Sequence, residues 1–113
     1  MPSIEIARSI PASDRACVLS LVVPTYNERE SLPDLIDKLS ASLDRVLPEA
    51  YELVVVDDDS PDRTWELAES LRSKFPRLIA IRRENEKGLA TAVLDGWSRP
   101  RGTILGAIDG DLQ

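Results

Sequence analysis

Four short apolar runs, "CVLSLVV" (17–23), "YELVVV" (51–56), "LIAI" (78–81) and "TILGAI" (103–108), are each separated from the next by a segment with helical period. Leu32, Leu35, Ile36, Leu39 and Leu43 form the first stripe. Trp65, Ala68, Leu71 and Phe75 form the second, and Leu89, Ala92, Val93, Gly96 and Trp97 the third. Spacings of three and four place such residues on one helix face, whereas unbroken β-branched runs fit strands buried on both sides. Start signals agree: Asn27 or Ser31 is suited to cap the first helix, and Ser60-Pro61-Asp62 reads as an N-cap followed by proline at the first helical position. The predicted order is therefore β-α-β-α-β-α-β. That order dictates a mostly parallel sheet with helices on both faces, joined by right-handed crossovers.

At 113 residues the chain is at most one small domain. Residues 1–16 carry charges throughout and no continuous apolar stretch, so they read as a flexible arm rather than a secretory signal. Cys17 is the sole cysteine, which excludes an internal disulfide and fits a reducing compartment; beside "VLSLVV" it reads as a small buried apolar residue. The absence of histidine removes Ser-His-Asp and Cys-His catalysis and argues against zinc. No apolar run is long enough to span a bilayer. A net charge of −6 is the wrong sign for a nucleic-acid binder. It also means that an anionic ligand would be repelled unless a cation intervened.

The polar residues just past each strand carry the functional information. "PTYNE" (24–28) comes after the first, "DDDSPD" (57–62) after the second, "RRENEKG" (82–88) after the third and "DGD" (109–111) after the fourth. In a parallel sheet all four emerge at the carboxyl edge, where open α/β sheets bind ligands at the point of strand-order reversal. In extended backbone Asp109 and Asp111 point to one side, and Gly110 permits close approach to the main chain. Two hard oxygen donors suit Mg2+ or Mn2+, with Gln113 able to add a carbonyl; the alternative is a solvated acidic turn. Three consecutive carboxylates at Asp57, Asp58 and Asp59 need compensation, and Asp57 or Asp58 is placed to accept N–H donors from a base. Asp59 and Asp62 read equally as helix caps. Pro24 is expected to end its strand, Tyr26 to stack on a ring, and Glu28 to sit favourably in a first helical turn. Arg82, Arg83 and Lys87 are the basic group of this rim, read as a solvated loop in preference to a phosphate contact. A nucleotide diphosphate bridged by a divalent ion reconciles the acidic rim with an anionic ligand.

The stretches "LVVPTYNERESLPDLI", "YELVVVDDDSPDRTWELAESL", "GLATAVLDGW" and "AIDGDLQ", in this order, resemble the N-terminal half of family 2 glycosyltransferases, best the branch of dolichol-phosphate or polyprenyl-phosphate mannosyl- and glucosyltransferases. The resemblance covers about residues 18–113. It implies a three-layer, Rossmann-like α/β domain of the GT-A type, of which residues 17–113 would be the nucleotide-sugar-binding half. By the same resemblance Pro24, Tyr26, Glu28, Val56 and Asp58 line the nucleotide pocket. Asp109, Gly110 and Asp111 form the D-x-D element, with Asp109, Asp111 and Gln113 on Mg2+ or Mn2+. Ala90 stands where glycine is usual, Gly110 where alanine is common, and Asp59 where glycine or asparagine is usual; none of these removes a proposed ligand. The implied reaction is inverting transfer of mannose or glucose from a GDP-mannose or UDP-glucose type donor to a lipid phosphate. The implied place is the cytoplasmic face of a membrane, through segments outside this chain. The chain is then expected to be an incomplete, inactive fragment. Two other readings compete: a receiver-type Mg2+-binding signalling domain, and a non-catalytic nucleotide-binding fragment. "LVVVDDDSP" resembles a receiver's acidic strand end, but a receiver carries that pair after its first strand.

Overall fold

The computed structural model describes residues 17–84, 88, 91–93, 102 and 104–108. Four strands, β1 (Leu19–Thr25), β2 (Tyr51–Asp57), β3 (Leu78–Arg82) and β4 (Ile104–Ala107), form one sheet in the order β3-β2-β1-β4. Every pairing is parallel. Helix α1 (Leu32–Val46) links β1 to β2, and α2 (Thr64–Leu71) links β2 to β3. Residues 91–93 are helical. The rest of the third expected helix, the N-terminal arm and residues 109–113 lie outside the described residues.

The two-residue period of the strands divides the core. Val23, Leu53, Val55 and Leu78 pack with Leu32 and Ile36 of α1 and Ala68 of α2. Val22, Val54 and Val56 pack with Ala92, Ile79 and Ile81. Thus both α1 and α2 lie on one face of the sheet, and Ala92, between β3 and β4, packs on the other. This is the α/β arrangement, covered on both faces, that the alternating sequence dictates.

Pro24 does not end its strand as expected; it lies inside β1, opposite Val56. The backbone parity explains why. The carbonyls of Val18 and Val22 accept from Ile104 and Ile108, so even-numbered residues of β1 bond toward β4. Proline's missing N–H therefore points to the β4 side and ends the β1–β4 ladder after Val22–Ala107, while the pairing with β2 runs on to Thr25–Asp57.

The helix starts also differ from expectation. Ser31 occupies the N-cap position of α1 but its hydroxyl makes no capping bond; it donates to the Glu28 carbonyl at 3.4 Å. Helix α2 begins at Thr64, after Arg63 in the left-handed region, while Ser60, Pro61 and Asp62 form a preceding turn. Ser60 is diverted from capping because its hydroxyl serves a buried carboxylate.

Candidate functional site

The strand order reverses beside β1: β2 and β3 lie on one side and β4 on the other. In open α/β sheets the carboxyl ends on either side of such a reversal, here those of β1 and β4, are where a ligand crevice is expected. The loops "PTYNE" and "DDDSPD" leave the sheet at this edge, and the three consecutive aspartates are compensated in three different ways.

Asp57 is fully buried at the end of β2. Thr25 Oγ1 donates to its Oδ1 at 2.6 Å, as does Ser60 Oγ at 2.6 Å, and the Ser60 amide donates to Oδ2 at 3.0 Å. Hydrogen bonds hold this carboxylate, so it is a structural hub and not the base acceptor. Asp58 turns the other way. Arg83 Nε donates to its Oδ1 at 2.7 Å and the Gly88 amide to its Oδ2 at 2.9 Å. Asp59 pairs with Arg82, whose guanidinium also lies 3.9 Å from the centroid of the Trp65 ring. Asp59 has φ +51°, a left-handed conformation that glycine and asparagine adopt at least cost. That accounts for the residues usual at this position.

The two loops are fastened to each other. Amides of Asn27, Glu28 and Arg29 donate to Ser60 Oγ, Thr64 Oγ1 and Asp62 Oδ2 at 2.9, 3.0 and 3.1 Å. In return the Asp62 amide donates to Asn27 Oδ1 at 3.3 Å. Asn27 therefore does not cap α1; it ties one loop to the other from a left-handed φ of +55°. Burial alone would raise the Asp62 carboxyl, but donors from the Thr64 hydroxyl and the Arg29 and Thr64 amides hold it below the ordinary carboxylate range.

Pro24 and Val56 are register partners on one sheet face, both buried. Tyr26 is 45% exposed, Glu28 is half-buried, and Asp58 reaches the surface with 8% of its area. The five positions expected around a nucleotide thus lie at or just past the ends of β1 and β2, with Val56 fully enclosed and Tyr26 exposed. Asp109, Gly110, Asp111 and Gln113 lie outside the described residues. The chain enters that segment from β4, whose direction is fixed by the Ile108 amide donating to the Val22 carbonyl at 2.9 Å. Among the described residues no cluster of three metal-ligating side chains occurs. The donor set at Asp109, Asp111 and Gln113, two carboxylates and an amide carbonyl, has the hard-oxygen chemistry that Mg2+ and Mn2+ require.

The solvated-loop reading of the basic group is wrong for Arg83, which is 6% exposed and buried against Asp58. Lys87 lies outside the described residues. The receiver-type reading fares poorly, because such a site needs its acidic pair open to metal and phosphodonor. Here one acid is enclosed and its neighbour is paired with arginine. No local pattern marks Ser60, Thr64 and Asp62 as loop fasteners, since their partners are more than thirty residues distant in sequence.

Comparison with known proteins agrees with this geometry. Residues 20–113 match the family described as Glycosyl transferase family 2. The chain is 48% identical over 95 residues to dolichol-phosphate mannosyltransferase from Pyrococcus furiosus, covering 84% of this chain and 26% of that protein. It is 38% identical over 96 residues to undecaprenyl-phosphate 4-deoxy-4-formamido-L-arabinose transferase from Yersinia pestis, covering 84% and 29%. Similar folds include the mannosyltransferase PcManGT from Pyrobaculum calidifontis in complex with GDP-Man and Mn2+, with TM-score 0.72, 25% identity, and 82% and 27% coverage. S. aureus TarS in complex with UDP-GlcNAc gives TM-score 0.69, 28% identity, and 83% and 26% coverage. The chain spans about a quarter of the length of these proteins. The four-stranded parallel sheet with its helices is Rossmann-like α/β, and these structural neighbours have the GT-A fold. With the family match running from β1 through the last residue, the chain belongs to glycosyl transferase family 2.

Proposed function

We propose that this chain forms the donor-binding half of an inverting glycosyltransferase that moves a hexose, mannose or glucose, from a nucleoside diphosphate onto a polyprenyl or dolichyl phosphate. The observation that carries the reading is Asp58, just past the carboxyl end of β2, its carboxylate oriented by bonds from Arg83 and the Gly88 amide. An N–H of uracil or guanine is the group such a carboxylate accepts. Tyr26, 45% exposed after β1, offers an aromatic face, and Pro24 and Val56 are buried register partners in the adjoining strands. The likeness to dolichol-phosphate mannosyltransferase supports the acceptor class.

Asp109, Asp111 and Gln113 would hold Mg2+ or Mn2+, which when bound neutralises negative charge on the departing diphosphate. An acceptor phosphate oxygen is already anionic and attacks without a general base. A chain without histidine is consistent with that demand. Glu28, its amide fixed by Thr64 Oγ1 at 3.0 Å, would line the donor pocket. The cytoplasmic face of a membrane is the corresponding location. Among the described residues no helix is long and apolar enough to cross a membrane.

Calorimetric titration of the chain with GDP-mannose and UDP-glucose tests the reading. Binding is expected to strengthen with Mn2+ or Mg2+, to collapse with a chelator, and to weaken by about tenfold or more in Asp58→Asn and Asp111→Asn. Donor binding indifferent to metal and chelator would overturn the metal assignment.

A further inference from the structure

We infer that Arg83 is a positioning residue for base recognition, setting the orientation of the Asp58 carboxylate without itself being needed as a ligand. This rests on the reading of Asp58 as the acid that accepts from the donor base.

The geometry is a closed ring of three contacts. Arg83 Nε meets Asp58 Oδ1 at 2.7 Å, Arg83 Nη2 donates to the Gly88 carbonyl at 3.0 Å, and the Gly88 amide donates to Asp58 Oδ2 at 2.9 Å. Both side chains are largely desolvated, that of Arg83 5% and that of Asp58 11% exposed. A charge-assisted bond of this length, out of water, is stronger and more directional than a surface ion pair. Arg83 is itself pinned at the backbone, its amide donating to the Asp57 carbonyl at 2.8 Å as the β2–β3 pairing runs on.

The consequence for Asp58 is specific. An ionised carboxylate offers about four lone-pair positions. Two are occupied from the Arg83–Gly88 side, one on each oxygen, which fixes the plane of the group and leaves the remaining positions for a ligand. Without Arg83 the carboxylate would lose its counter-charge and one of the two bonds that prevent its rotation. It would then hydrate or turn away. Arginine's planar fork is needed, since one nitrogen serves Asp58 while another serves Gly88. Lysine keeps the charge but makes no such paired contact.

The test uses two probes, a nucleoside diphosphate (GDP or UDP) and inorganic pyrophosphate, each with Mn2+, titrated into wild type, Arg83→Lys, Asp58→Asn and the double variant. Arg83→Lys is expected to weaken nucleoside diphosphate binding roughly tenfold while pyrophosphate stays within about twofold. In the Asp58→Asn background the lysine substitution is expected to add nothing, because its effect runs through the missing carboxylate. Retained pyrophosphate affinity also serves as the folding control. Equal loss of both probes, or wild-type nucleotide affinity in Arg83→Lys, overturns the inference. Undiminished nucleotide binding in Asp58→Asn removes the base-reading role itself, and this inference with it. Loss in Asp58→Asn with none in Arg83→Lys removes the inference alone.

Discussion

Thr25 on β1 and Asp57 on β2 are register partners whose side chains meet at 2.6 Å within the sheet, at the carboxyl end of both strands. Asp57 also receives the amide and hydroxyl of Ser60, and Ser60 Oγ in turn accepts the Asn27 amide. One enclosed carboxylate therefore organises both loops that leave the sheet at this edge. Asp57→Ala would strand three donors away from water, and each buried unsatisfied group costs about 1–3 kcal/mol. A loss of roughly 3 kcal/mol or more in urea unfolding is expected. Asp57→Asn keeps the shape and one acceptor and should fall between that variant and wild type. Wild-type stability in Asp57→Ala would show that the loops are held by other means.

Arg63 precedes α2 with φ +62° and makes an exposed ion pair with Glu66 at 2.9 Å. Side chains with a Cβ are penalised in this conformation by about 1–2 kcal/mol relative to glycine. Arg63→Gly and Arg63→Ala lose the same surface contacts, worth only a few tenths of a kcal/mol. Their difference thus isolates the backbone effect. Glycine is expected to exceed alanine by about 1 kcal/mol in denaturant melts. Equal stabilities would place the strain elsewhere.

Asp62 gives a pH signature. Its carboxyl is held below the ordinary 3.8, so on acidification the unfolded chain takes up this proton before the folded one does. The stabilisation is therefore present above 3.8 and is lost as pH falls through the lower folded value. Asp62→Asn should be less stable than wild type by about 1 kcal/mol at neutral pH. The gap should narrow in acid. Unfolding free energies measured down the acid limb decide it; a constant gap would mean the carboxyl titrates alike in both states.

Tyr51 titrates at the opposite end. It is buried at the start of β2, its hydroxyl donating to Asp44 Oδ1 at 2.7 Å. Desolvation, followed by that hydrogen bond and the carboxylate's charge, pushes the phenol from 10.0 up to about 12. The unfolded chain loses this proton first as pH rises. The contribution to stability is therefore intact below 10.0 and disappears on the way to about 12. Absorbance at the phenolate band should reveal a tyrosine ionising near pH 12, absent in Tyr51→Phe.

The layered fold was legible because apolar period alone separates strand from helix, and each of the four runs became a strand. Placement of the polar clusters on one rim came from topology. Contacts between segments distant in sequence could not be read. Arg83 looks like part of a solvated run because nothing in "RRENEKG" announces a buried acid twenty-five residues upstream. Ser60 before Pro61 looks like a helix cap because local pattern does not reveal that Asp57 and Asn27 already claim its hydroxyl. Pro24 looks terminal because sequence does not state which neighbour a given amide faces. Each error lies where tertiary hydrogen bonding overrode a local preference.

The sheet order β3-β2-β1-β4 also sets a sequence of events for a chain made from its N-terminus. Three strands and two helices can assemble through neighbouring segments while synthesis continues. The opposite flank of β1 must wait for residues such as Gly102, whose amide reaches back 82 positions to Ser20 Oγ. Until then β1 is an open border for half of its length. Pairing on the β4 side of β1 is therefore expected to follow assembly of the β1-β2-β3 side.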